Sequence, residues 1–226
     1  VRRDFNGERS FNGFEGDKGE GFADQAFALN ELKDAWPDFS KKARWLLVGT
    51  IPLASQASRE SLLWCVDQAQ KNGLQIGIDV NWRPTFWDLK SSPASGPSQS
   101  ALNAILPLLR QASCLKLAKE EAIWFFDTSS PMKISRSLEK QPDVIVTDGA
   151  KPVHWWIQGL LGETFAFAPS KVVDTTGAGD AFMAALIHQY LCKSLHPMNA
   201  EIANNMVQFA VACGALVCGG VGAIQP

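Results

Sequence analysis

The sequence lacks most features that would place it in an extreme class. Neither sign of charge is in excess: 21 Lys and Arg face 23 Asp and Glu, a formal net charge of -2 over 226 residues. With no bulk basic footprint, a general binder of nucleic acid or of anionic membranes is disfavoured. Long apolar runs are missing, since no window approaches the ~20 apolar residues of a membrane span. The opening VRRDFNGERS has no apolar h-region of a secretory leader. Paired cysteines are missing too. Cys65, Cys114, Cys192, Cys213 and Cys218 are odd in number, scattered and without a CxxC, mostly in apolar surroundings. They read as buried free thiols in a reducing compartment. His154, His188 and His196 are far apart, so a Cys/His zinc site is not expected. What remains is 46% hydrophobic and 19% charged, the composition of a globular chain with a real core.

Hydrophobic periods alternate along the chain. VRRDF and ERSFNGF flank Asn6-Gly7, the signature of a two-residue hairpin turn, and the Gly- and acid-rich stretch from Phe14 to Gly21 reads as loop. Strands are predicted at Ala43 to Thr50 (buried), Leu74 to Val80, Ser113 to Leu117 and Asp143 to Thr147. A hairpin is predicted from Pro152 to Ile157 and Glu163 to Phe167. Helices are predicted at Ser58 to Lys71, Ala101 to Gln111, Lys119 to Phe126, Ala178 to Cys192 and Asn199 to about Val217. Strands alternating with helices imply right-handed crossovers and a mostly parallel sheet covered on both faces. Ligands of such sheets bind beyond the carboxyl ends of the strands.

One segment stands apart: Val172-Val173-Asp174-Thr175-Thr176-Gly177-Ala178-Gly179-Asp180-Ala181-Phe182. An apolar lead-in runs into a Gly-Ala-Gly turn that opens a helix. Free N–H groups at the helix start then converge where the dipole favours an anion. Asp180 lies in the same first turn. A carboxylate beside an anion hole would repel a simple phosphate. It makes sense as a base for a hydroxyl that attacks the phosphoryl group held there. The plainer reading is a tight turn with a dipole-stabilising acid.

The string DTTGAGDAF resembles the second signature of the PfkB (ribokinase-like) carbohydrate kinases. Other segments agree in order. Asp79-Val80-Asn81-Trp82-Arg83 with Phe86-Trp87 is similar to the DxNxR segment of fructokinase and 2-keto-3-deoxygluconate kinase members. Leu115 to Glu121 resembles the NxxE segment, Val144 to Gly149 the nucleotide-side T-x-G turn, and Phe209 to Pro226 the helix and loop that close over adenine. The starting hairpin resembles part of the family's β-lid.

The resemblance implies a three-layer α/β/α sandwich with a mostly parallel central sheet. Residues 1–21 would be a partial lid, and residues 22–226 a ribokinase-like domain lacking its N-terminal strands and last helix. It implies ATP-dependent phosphorylation of a sugar hydroxyl, D-fructose to fructose 6-phosphate before others, with 2-keto-3-deoxygluconate as the alternative substrate. Asp180 would be the general base, and Gly177, Ala178 and Gly179 the anion hole. Thr147 and Gly149 would contact the nucleotide, and Asn81 and Arg83 the sugar. Glu121 would organise Mg²⁺ indirectly. Asp174 and Thr176, with carbonyls of Cys218 and Ala223, would hold a monovalent cation such as K⁺.

Structural alternatives stay open for several of these residues: a salt bridge for Arg83, a turn cap for Asp79, packing for Trp82 and Trp87, and a snorkelling stem for Lys116. Three positions depart from the family pattern: Ala118 for the Asn of NxxE, Pro152 for the last glycine of the T-x-G turn, and Val211 near the adenine. They leave open a kinase-like binding protein without turnover. Sugar and ATP are the expected partners, with a homodimer formed through the lid, and without nucleic acid or membrane. A cytoplasmic location is expected, with a plastid as the alternative because the sequence opens on Val1. A fragment without its first strands is expected to be inactive.

Overall fold

The structure is a computed structural model that describes residues 2–3, 9–10, 25–92, 94–167, 171–193 and 198–223. Strands β1 (Arg2–Arg3) and β2 (Arg9–Ser10) pair antiparallel, Arg2 opposite Ser10, as a hairpin requires. The Asn6-Gly7 turn and the loop from Phe14 to Gly21 lie outside the described residues. The other elements, in chain order, are α1 (Leu29–Ser40), β3 (Trp45–Gly49), α2 (Gln56–Lys71), β4 (Gln75–Asp79), α3 (Gln99–Leu109), β5 (Cys114–Ala118), α4 (Lys119–Phe126), α5 (Pro131–Ser137), β6 (Asp143–Thr147), β7 (Val153–Ile157), β8 (Leu160–Thr164), α6 (Ala178–Lys193) and α7 (Ala200–Val217).

Strands β3 to β8 form one sheet in sequence order. β3, β4, β5 and β6 are parallel, and β7 and β8 add antiparallel to one side. The period-2 pleat sorts the central strands between two cores. Ile76, Ile78, Leu115, Leu117, Val144 and Val146 pack with Leu62 and Val66 of α2 and Ile105 and Leu108 of α3. Cys114, Ile145, Trp155 and Ile157 pack on the opposite face with Phe182, Met183 and Leu186 of α6 and Met206 and Val207 of α7. The result is the expected three-layer α/β/α sandwich around a mostly parallel sheet.

Several boundaries differ from expectation. β3 is an edge strand and only half-buried, with Leu47 exposed, because no described strand covers its outer side. β8 starts three residues before the predicted Glu163. Gln158 and Gly159 both take positive φ (47° and 84°), so they form the two-residue turn and Phe165 and Phe167 fall outside, exposed. α1 was not predicted; Pro37 lies inside it and it has no fully buried residue. It docks on α2 through a Trp36–Trp64 edge contact (5.6 Å). α5 also escaped prediction; Pro131 opens it and the Ser130 side chain caps it. Only Cys65 and Cys114 are buried, while Cys192 is exposed and Cys213 and Cys218 are partly covered. α7 is long and apolar enough to cross a membrane, contrary to the reading of the sequence windows. Its Met206, Val207 and Ala210 are spent on the core with α6.

Candidate active site

The Gly-Ala-Gly turn is held from behind by the end of α7. The N–H groups of Val173 and Asp174 both donate to the Cys218 carbonyl, at 2.8 and 3.3 Å. Asp174 is fully buried: Oδ1 accepts the N–H of Thr176 (3.0 Å) and its hydroxyl, and Oδ2 accepts the N–H of Gly222 (2.9 Å). This carboxylate shapes the turn and pins the loop after α7 against it. Gly177 takes φ +80°, and a Cβ there would lie 2.7 Å from the Ala223 Cβ. Both the backbone conformation and the loop demand glycine. Asp174, Thr176, Cys218 and Ala223, from two distant segments, thus lie in one neighbourhood.

The chain then turns into α6. The N–H of Ala178 is directed back to the Thr175 carbonyl (3.3 Å) and that of Ala181 donates to the Gly177 carbonyl (2.9 Å). Those of Gly179 and Asp180 have no carbonyl partner among the described residues, the normal state of first-turn donors. Asp180 is exposed and lines a cleft of about 520 Å³. Asp79 and Asn81, from the end of β4, line the same cleft, together with Gly49, Ile51 and Met183. Asn81 adopts φ +46°, which breaks the strand and starts the exit loop. Two motifs about a hundred residues apart therefore share one cavity at the carboxyl ends of the parallel strands.

The remaining predicted residues divide. Glu121, 7% exposed, bridges backbones: Oε2 accepts the N–H of Ala118 (2.7 Å) and Oε1 that of Trp82 (2.6 Å). It thereby ties the loop after β4 to the start of α4. Burial holds its carboxyl above the usual range, against the lowering effect of the Ala118 N–H. Arg83 is half-buried, with Nη1 donating to the Trp82 carbonyl (2.8 Å). Trp82 packs against Trp87 (5.9 Å) and Phe125 (6.4 Å), so both tryptophans are engaged with protein. Thr147 and Gly149 stand at the end of β6, the Thr147 hydroxyl donating to the Leu117 carbonyl (3.4 Å) and Gly149 at φ +56°. Between them Asp148 bonds Lys119 and Lys151 (3.1 and 3.2 Å), and Lys119 foremost holds its carboxyl below the usual range. Of the departures, Val211 is buried in the α6–α7 core.

Lys116 was missed. It does not snorkel: it is 7% exposed and pairs with Asp79 at 2.7 Å, directly beneath Gly179. A lysine in the middle of a buried strand was the available signal, but its partner depends on register between β4 and β5.

The chain is 29% identical over 221 residues to a fructokinase of Vibrio alginolyticus, covering 96% of the chain and 65% of that protein. It is 27% identical over 191 residues to the probable chloroplastic fructokinase-6 of Arabidopsis thaliana, covering 83% of the chain and 47% of that protein. The chain thus spans less than two thirds of either relative. Among solved structures, the fructokinase of Vibrio cholerae bound to fructose, ADP and calcium superposes with a TM-score of 0.66 at 29% identity, over 81% of this chain and 57% of that one. An aminoimidazole riboside kinase of Salmonella enterica gives 0.62 at 25% identity, over 80% and 58%. A family model described as "pfkB family carbohydrate kinase" matches residues 3–226, and the chain belongs to that family of sugar kinases.

Proposed function

We propose that the protein carrying this chain transfers the γ-phosphoryl group of ATP to D-fructose, giving ADP and fructose 6-phosphate. One observation carries the reading: the exposed carboxylate of Asp180 shares a cleft with Asp79 and Asn81, and it stands on the first turn of a helix whose Gly179 and Asp180 N–H groups have no carbonyl partner among the described residues. The relatives named fructokinase supply the sugar.

In this reaction the sugar oxygen attacks the γ-phosphorus and forms the new O–P bond. The bond from phosphorus to the bridging oxygen breaks, and ADP leaves with that electron pair. Asp180 takes the hydroxyl proton. The Gly177-Ala178-Gly179 turn is assigned to the anion hole, where the open N–H groups of Gly179 and Asp180 would meet charge on the transferring group without reorganisation at the moment of reaction. Asn81 and Arg83 are assigned to the sugar, and Thr147 and Gly149 to the nucleotide.

The donor set fits Mg²⁺ only through phosphate and water. No group of three Asp, Glu, His or Cys converges among the described residues, and both Glu121 oxygens hold backbone N–H groups. Glu121 would therefore act on it indirectly. When bound, Mg²⁺ neutralises charge on the phosphates. Asp174 and Thr176, with the carbonyls of Cys218 and Ala223, are assigned to a monovalent cation such as K⁺. The β1–β2 hairpin is assigned to contact between two copies.

The test is steady-state turnover of the full-length protein with ATP and Mg²⁺ on fructose and on 2-keto-3-deoxygluconate. The proposal expects kcat/KM at least about tenfold higher on fructose, a difference of about 1.4 kcal/mol. The opposite preference moves the assignment to the acid sugar. Turnover of neither, with ATP still bound, leaves a binding protein.

A further inference from the structure

Lys116 occupies a costly position. Parallel pairing sets it opposite Asp79, and the pleat turns both toward α6, the face on which Cys114 packs and on which a Cβ at Gly77 would meet Met183 and Ile187. Of the three donors of an ammonium, one is used among the described residues, on Asp79 Oδ2 at 2.7 Å. Nζ lies 3.1 Å from where a Cβ of Gly179 would stand. Helical Cβ vectors tilt toward the helix start, so the ammonium sits at the mouth of α6. A cation there opposes the helix dipole, and Asp79 offsets only the lysine's own charge. An anion at the mouth of α6 would meet both the helix dipole and the ammonium.

We propose that Lys116 is a catalytic residue of the phosphoryl transfer assigned above. Its ammonium joins the first-turn N–H groups of α6 in holding the oxygens of the transferring phosphoryl group. Asp79 holds the lysine in place, and residue 179 is glycine to admit it. The inference rests on the kinase reading for its substrate, but the geometry that motivates it is independent of which sugar is used. It also gives Asp79, at the head of the DVNWR segment, a function other than capping a turn.

Lys116→Met alone would leave Asp79 buried and unpaired, which can unfold a protein. The informative variant is therefore the double substitution Asp79→Asn with Lys116→Met, which removes both charges at similar volume. In the full-length protein it is expected to keep its thermal midpoint within about 5 °C. Its kcat should fall by roughly a hundredfold, the scale of losing one preorganised donor, with ADP affinity within about twofold. A merely structural pair predicts otherwise, and a kcat within about threefold of wild type overturns the inference. Gly179→Ala shifts the ammonium by a few tenths of an ångström while keeping both charges; it should lower kcat by about tenfold or more. Should the double variant not fold, Gly179→Ala decides on the same readouts.

Tripolyphosphate binding separates this inference from the kinase reading, because it needs no turnover. A wild type that phosphorylates no sugar sinks the kinase reading. Lys116 then stands on a tenfold or greater loss of tripolyphosphate affinity in the double variant, about 1.4 kcal/mol, and falls if affinity is equal.

Discussion

Gly177 and Gly179 sit two residues apart and are glycine for different reasons. Gly177 needs its positive φ and its clearance from Ala223, whereas a Cβ on Gly179 would stand 3.1 Å from the Lys116 ammonium. Gly177→Ala should therefore destabilise the fold by about 1–3 kcal/mol or more, read as a lower urea midpoint, since strain and a backbone clash combine. An unchanged midpoint would mean that the loop after α7 does not press on the turn. Glu121 gives a pH prediction. Burial raises its folded pKa above the ordinary carboxyl range, so the native state binds the proton more readily than the unfolded chain. Its ionisation then removes stability as pH rises through the folded pKa. The stability margin of wild type over Glu121→Gln should shrink as pH rises from the ordinary carboxyl range through the raised folded pKa, and level off above it. A margin that grows with pH contradicts the assignment. Residues whose meaning is local were legible in the sequence: Asp180 and the glycines announce themselves within nine positions. The contacts of Lys116 and Glu121 were not, because the first needs a cross-strand register and the second reaches 39 residues away, to the Trp82 N–H.

At the scale of elements, strands buried on both faces were read to within a residue or two, β6 without error, because continuous apolar runs carry that signal. The β7–β8 hairpin shows where the signal weakens. Gln158-Gly159 is a less familiar turn pair than Asn-Gly, and the exposed Phe165 and Phe167 imitate strand residues. The register is fixed instead by Gly162 opposite Trp155, whose ring lies 2.1 Å from the point a Cβ would take. Gly162→Ala should displace the indole at a cost of about 1–3 kcal/mol. The measurement is Trp emission with thermal unfolding: a red shift and a lower midpoint are expected, and neither would appear if the strand were out of register. α1 was illegible because tertiary contacts sustain it against its own proline.

Across the whole molecule, the cleft opens along β3, the outer strand of the sheet, where Leu47 is exposed. An open apolar edge invites pairing with another chain. The 226-residue chain by itself is therefore expected to associate with rising concentration in light scattering; a chain that stays monodisperse would contradict this. The parallel sheet concentrates the chemistry at one end, where β4 delivers Asp79 and Asn81 and α6 delivers Asp180. The central claim is that Asp180 acts there as the base of phosphoryl transfer. Its most direct test is the kcat of the full-length protein against Asp180→Asn, with ATP, Mg²⁺ and fructose, at matched folding and matched ATP affinity. A general base contributes roughly 10²–10⁴-fold, so the variant is predicted to lose at least about a hundredfold in kcat; equal turnover by the two proteins would contradict the account.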